Sequence, residues 1–197
     1  MIEYPIAVSV PEPEKLSRWK VLFKWWLLTV PHLVALALLW AVTLIVILIA
    51  LPAILFTGRY PRRLFKFVVG ANRWGFRVAV YAALLRDEYP PFSFSAPYPA
   101  IFEAQYQEHF SRWKVLVKWW LLVVPHYLLL YLMYKPLLLL VLFQGIFILF
   151  RGHHHSRIFQ LTRGVLCWYA RVSAYITLLT DKYPPFSLEE SKYESTR

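Results

Sequence analysis

RWKVLFKWWLLTVPH (Arg18–His32) and RWKVLVKWWLLVVPH (Arg112–His126) are nearly the same sentence, written twice at an offset of 94 positions. Each mixes three tryptophans with three cations and closes on Pro-His. The run after each copy decides the fold. Leu33 to Phe56 contains no charged residue, and Tyr127 to Phe150 contains one, Lys135. About 20 apolar residues suffice to cross a bilayer as a helix. Both runs pass that length.

The chain as a whole agrees. Of its 197 residues, 59% are hydrophobic and only 17% are charged, which is apolar for a soluble domain of this size. The expectation is an all-α integral membrane protein. The opening MIEYPIAVSVPEPEK lacks the basic and apolar regions of a signal peptide, so insertion would rest on the internal segments. The net charge of +11 sits mainly at the edges of the apolar runs. That placement suits anionic headgroups and argues against a nucleic-acid surface, which would be a basic face on a soluble fold.

Outside the opening stretch the 94-residue offset still holds without a gap. Tyr4-Pro5 matches Tyr98-Pro99, Gly58 matches Gly152, and Gly70, Trp74, Arg77 and Tyr81 match Gly164, Trp168, Arg171 and Tyr175. DEYPPFS (Asp87–Ser93) returns as DKYPPFS (Asp181–Ser187). Eight of nine tryptophans form four matched pairs, and only Trp40 lacks one. The chain is therefore two tandem membrane repeats, 1–94 and 95–188, with a polar tail at 189–197.

Within a repeat, Ile6, Val8 and Val10 alternate as in an extended strand. From Ser17 a helix is expected, with tryptophan rings at headgroup depth and cation stems snorkelling beside them. Trp19, Trp25, Trp26, Trp113, Trp119 and Trp120 are the candidate interfacial anchors. Pro31 and Pro125 disfavour helix at the residue before them and place a bend there. The first apolar run ends in the turn sequence Thr57–Arg63. A more polar helix comes next, Leu64 to Leu85. One of its stripes carries Lys66, Gly70, Arg73, Arg77 and Tyr81, and another carries Gly75, Ala79 and Ala83, a helix-packing surface. Counting both helices of each repeat predicts four transmembrane helices with amphipathic entry segments. Two spans plus interfacial helices, or re-entrant hairpins with Lys135-Pro136 as the apex in the second run, are the competing readings.

The Pro31-His32 pair, FTGRYPR (Phe56–Arg62), VVGANRW (Val68–Trp74) and the closing YPPFS resemble the bacterial membrane family of domain-of-unknown-function 4389, which often occurs as tandem copies. The resemblance covers both repeats. It implies a multi-pass protein of the bacterial cytoplasmic membrane and carries no activity with it. The second copy departs where Arg59-Tyr60-Pro61 becomes His153-His154-His155.

Candidate chemistry is sparse. Lys135, His32 and His126 are the polar groups inside or beside the spans, where ionisable residues are costly and so are read as functional candidates. His32 and His126 could face each other at the repeat axis, although two ligands make a weak metal site. Three consecutive histidines on one turn rarely face one ion. The eleven carboxylates all lie outside the apolar runs, which lowers ion-coupled transport. There is no phosphate loop, nucleophile elbow or zinc-protease motif. Neither enzyme activity nor a cofactor is expected. Arg59, Arg62, Arg63, Lys66, Arg77, Arg151, Arg157 and Arg171 are the candidates for lipid headgroups or an anionic partner, because guanidinium matches phosphate bidentately. The expected role is a non-enzymatic scaffold, accessory or lipid-organising subunit. Its partners would be anionic lipids and a membrane protein or second copy. The alternative is a small transporter or channel for lipid-like or anionic solutes.

Overall fold

The computed structural model describes residues 1–23, 27–117 and 121–193. The repeat appears as two matched sets of elements. After β1 (Ile2–Glu3) come β2 (Ile6–Ser9), α1 (Arg18–Phe23), α2 (Val30–Thr57) and α3 (Arg62–Ala82). Then come β3 (Ile101–Ala104), α4 (Arg112–Val117), α5 (Val124–Arg151) and α6 (Ser156–Ile176), and β4 (Ser191–Lys192) ends the described chain.

The two long helices begin where the prolines predict. Pro31 and Pro125 lie in the first turn of α2 and α5, where a missing N–H leaves no partner unsatisfied. Both helices end at a glycine in the left-handed region, Gly58 at φ 70° and Gly152 at φ 75°. Each donates its N–H back to the carbonyl four residues earlier, a C-terminal cap that other residues adopt only with strain. Pro52 and Pro136 lie inside the helices without breaking them. The hairpin reading of Lys135-Pro136 is thereby overturned. α5 is continuous there, and Lys135 points outward from its middle.

A single stripe of α2 is buried along its length, at His32, Leu36, Thr43, Ala50 and Ile54. The rest of its surface is exposed leucine, isoleucine and valine. At 1.5 Å per residue a 28-residue helix is about 42 Å long, enough to cross a bilayer with tilt. Among the described helices, α2 and α5 are the ones long and apolar enough to cross a membrane, and only 17% of each apolar window is buried. A core helix of a soluble protein would be mostly covered.

α3 and α6 are far more covered than α2 and α5. Each packs against its own long helix, against the other, and under the sheet. They form an inner layer with α2 and α5 on one side and strands on the other. The shared core joins Val69, Phe76 and Val80 of α3 with Cys167, Ala170 and Ala174 of α6 and with Ile6, Val8 and Phe102 of the sheet. The small stripe behaves as expected at Gly75, where an added Cβ would lie 3.5 Å from the Trp40 ring of α2.

The sheet is the element the all-α expectation missed. Its order is β1-β4-β2-β3. β2 and β3, nearly the same stretch of each repeat, pair antiparallel from Ile6–Ala104 to Ser9–Ile101. The tail is not free either: β4 runs parallel to β1, and the Ser191 hydroxyl donates to the Ile6 carbonyl at 2.7 Å.

The repeats are interlocked. α1 packs on α5 and α4 packs on α2. The Leu16 N–H donates to the Gly152 carbonyl at 2.9 Å, and its counterpart, the Phe110 N–H, donates to Gly58 at 2.8 Å. Each entry helix therefore serves the other repeat's span.

Candidate functional site

The Pro-His motif is the centre of an aromatic buckle. The Trp74 indole N–H donates to His32 Nδ1 at 3.2 Å, which leaves the ring proton on Nε2. Phe92 stacks on the imidazole with centroids 4.0 Å apart, and Tyr89 closes from the side at 4.8 Å. The second repeat repeats this with Trp168, Phe186 and Tyr183 around His126. The YPPFS segment thus folds back onto the start of the long helix in each copy.

Arg77 and Arg171 hold that segment down. Arg77 donates to the carbonyls of Ser93 at 3.2 Å and Ala96 at 2.7 Å. Arg171 donates to Glu189 at 2.7 Å and to Ser187. Both are buried, Arg171 completely. This corrects their assignment to headgroups or an anionic partner: their donors face backbone carbonyls within the fold. The two histidines do not meet at the axis. Each is walled in by aromatics of its own repeat, and with Nδ1 accepting from the indole and the proton on Nε2 the ring offers a metal no lone pair. The triple histidine also divides: His154 contacts the Leu84 carbonyl at 3.0 Å, while His153 and His155 lie edge-on to Phe147.

Between the repeats lies an apolar groove of about 850 Å³. Trp40 of α2, Tyr131 and Tyr134 of α5, and Tyr169 and Val172 of α6 line it. Ser173 and Thr177, also in its lining, bond to Asn72 of α3. The Asn72 amide donates to Thr177 Oγ1 at 3.1 Å, and the Ser173 hydroxyl donates to its Oδ1 at 2.6 Å.

The remaining basic candidates stay on the surface. Arg59, Arg62, Arg63 and Lys66 are exposed around the end of α2 and the start of α3, and Arg151 and Arg157 lie around the matching turn. Arg62 pairs with Glu108 at 2.8 Å and lies over the Tyr106 ring. Arg151 lies over Phe147. In the turn between α2 and α3, burial pushes the Tyr60 hydroxyl well above its ordinary range, so it stays neutral. Trp19 and Trp113 are 76% and 81% exposed. Trp25, Trp26, Trp119 and Trp120 lie outside the described residues.

Arg73 is a site residue that the sequence pattern placed on a stripe but did not single out. It donates to the carbonyls of Phe102 and Phe94, both at 2.9 Å, and so joins α3 to β3 and the loop before it. The available signal was a mismatch between the repeats, since Cys167 stands at its counterpart.

These features define a class: a mainly helical tandem repeat with two bilayer-length apolar helices and a small sheet. The chain belongs to the family described as Domain of unknown function (DUF4389), which matches it twice, at residues 18–93 and 112–187. Pro-His, the tryptophan and arginine of the inner helix, and YPPFS all fall within both matches. No curated protein and no solved structure matches the chain.

Proposed function

We propose that this is a multi-pass integral membrane protein of the bacterial cytoplasmic membrane, acting as a non-enzymatic accessory or scaffold that organises lipids or an associated membrane protein. One observation carries the reading. α2 and α5 bury one stripe each and leave the rest of their apolar surface uncovered. An apolar face of that extent is tolerable in hydrocarbon and a liability in water. The tryptophans of α1 and α4 and the cations after Gly58 and Gly152 then occupy headgroup depth. The covered position of α3 and α6 favours two crossings. The four-span topology requires these helices to cross as well, with Lys66, Arg73 and Arg163 at depth.

Membrane fractions washed with alkaline carbonate test the first step. The protein should stay in the pellet, and release into the supernatant would refute integral insertion. Single cysteines placed at exposed positions of α3, in a Cys167→Ala background, then separate two crossings from four by labelling with an impermeant maleimide.

The groove between the repeats favours a second reading, transport of lipid-like solutes. Flux of a fluorescent lipid across reconstituted vesicles, abolished by Trp40→Ala or by filling the groove with Val172→Phe, would promote it above the scaffold.

A further inference from the structure

We propose that the first repeat alone carries a binding site for the phosphate of an anionic phospholipid, in the groove of about 450 Å³ between α3 and the loop that precedes β3. The inference deepens the membrane reading above and rests on it.

Arg62 and Lys66 line this groove with exposed charge, and Arg73, two of whose nitrogens are held by the Phe102 and Phe94 carbonyls, adds a third positive charge to its lining. They project from one side of α3. Glu108 is paired with Arg62, but that pair is exposed on both sides and contributes little. Lys66 has no hydrogen-bond or ion-pair partner among the described residues. The Tyr106 ring, 4.9 Å from the Arg62 guanidinium carbon, holds that side chain at the rim. The helix makes the charge more unusual. α3 opens with no acidic residue in its first turn and no side-chain cap, so cations crowd the positive end of its dipole. A bound anion would relieve both.

The duplication supplies a control for the alternative, that the fold needs these cations. Ser156, Gln160 and Cys167 stand at the matching positions of α6. All three charges are absent there, and the helix folds the same way. The corresponding groove of the second repeat also has acids in its lining, Glu189 and Glu190. Arg163 faces Glu190 at 3.8 Å and the chain's amino group pairs with Glu189 at 2.7 Å. One groove is therefore cationic and the other neutralised from within.

A lipid source fits the position. Arg62 lies four residues beyond Gly58, which ends the apolar helix, so the groove opens where headgroups would be. Its remaining wall includes Phe65 and Phe94, against which a glycerol backbone could rest. Arginine grips phosphate bidentately, with lysine adding a point charge.

The test uses the full-length protein in nanodiscs of phosphatidylcholine with a minor fraction of phosphatidylglycerol, read by native mass spectrometry of the released protein. One phosphatidylglycerol should be retained per chain. The double variant Arg62→Ser/Lys66→Gln, which installs the second repeat's residues, should weaken retention about tenfold or more, as loss of charged hydrogen bonds predicts. Arg151→Gln/Arg157→Gln, equal in charge removed, should leave it unchanged. Equal losses in the two variants would overturn the site in favour of diffuse attraction. So would retention without preference for the anionic lipid. Displacement of the lipid by millimolar inorganic phosphate in detergent would assign the site to soluble phosphate. If the protein fails to enter nanodiscs at all, the membrane reading falls; if it enters and shows no preference, the site alone falls.

Discussion

His126→Phe tests the buckle. The substitution keeps an aromatic ring of similar size, so the stack on Phe186, centroids now 4.2 Å apart, should survive. The change removes the acceptor for the Trp168 indole N–H. Trp168 is 6% exposed, so no water replaces it. A buried donor left unpaired costs about 1–3 kcal/mol. The same change in the first repeat, His32→Phe, should cost less, under about 1 kcal/mol, because Trp74 is only half-buried and its bond to His32 is part-buried rather than buried. A double-mutant cycle isolates the bond: His126→Phe/Trp168→Phe should destabilise by less than the sum of the single changes. Reversible unfolding in mild detergent, tracked by helical circular dichroism, supplies the free energies. Equal costs in the two repeats, or strict additivity within the cycle, would refute the claim that the histidine works as a hydrogen-bond acceptor. A metal or proton-transfer role would instead show as lost function with little lost stability.

Other contacts make further outcomes measurable. Arg171→Met removes two donors to the 187–189 backbone and should expose that segment to limited proteolysis while the helices persist; an unchanged cleavage pattern would count against the clamp. Gly58→Ala forces a side chain into φ 70° and should cost about 1 kcal/mol in the same unfolding assay, and no loss would mean that the cap relaxes. Burial pushes the Glu88 carboxyl up, but hydrogen bonds from Arg86 at 2.6 and 3.0 Å and the arginine's charge pull harder, so the net pKa is lowered. The contribution is therefore present above the unfolded carboxylate range and is lost as pH falls through the folded value. Glu88→Gln should flatten that acid limb, and an unchanged limb would exclude the pair as its source.

Some of this architecture could be read from residue order and some could not. The long helices could, because twenty-odd uncharged residues bounded by Pro31 and Gly58 leave few alternatives. The fold-back of YPPFS could not. It depends on which groups His32 and Trp74 face, and no periodicity reports that. The four-span count rested on the length and small-residue spacing of the inner helices, and neither reports that Arg73 and Arg77 face carbonyls of the loop and sheet. The two-residue strands β1 and β4 are too short to alternate and left no signal. At the candidate lipid site the informative signal was a difference between repeats. Matching residues mark the features the fold needs twice, and Arg62, Lys66 and Arg73 stand out because their counterparts lack charge. Cys167 is fully buried, so its thiol resists maleimide in any topology and cannot report one.

The exchange of entry helices leads to a prediction about the repeat as a unit. Residues 1–94 contain α1, whose docking site lies on α5, and α2, whose cover is α4. Gly145 of α5 accommodates Val21 of α1, where an added Cβ would lie 3.5 Å from the valine side chain. The antiparallel pairing of β2 with β3 also joins one repeat to the other. A single repeat therefore lacks the partner for its entry helix and for its strand. A second copy of the same repeat could supply both, because the contacts relating the halves are nearly two-fold. Exceptions are Asn72 with Ser173 and Thr177, whose counterparts are Leu166, Ala79 and Ala83, and His154 with the Leu84 carbonyl, where the first repeat has Tyr60. The first repeat expressed alone should then form a homodimer in detergent, weaker than the covalent pair, and co-expression with the second repeat should displace it in favour of the mixed complex. A protease-resistant monomer of either half would show that α1 can fold back on its own span, and the interlocked arrangement would not then be what holds the repeats together.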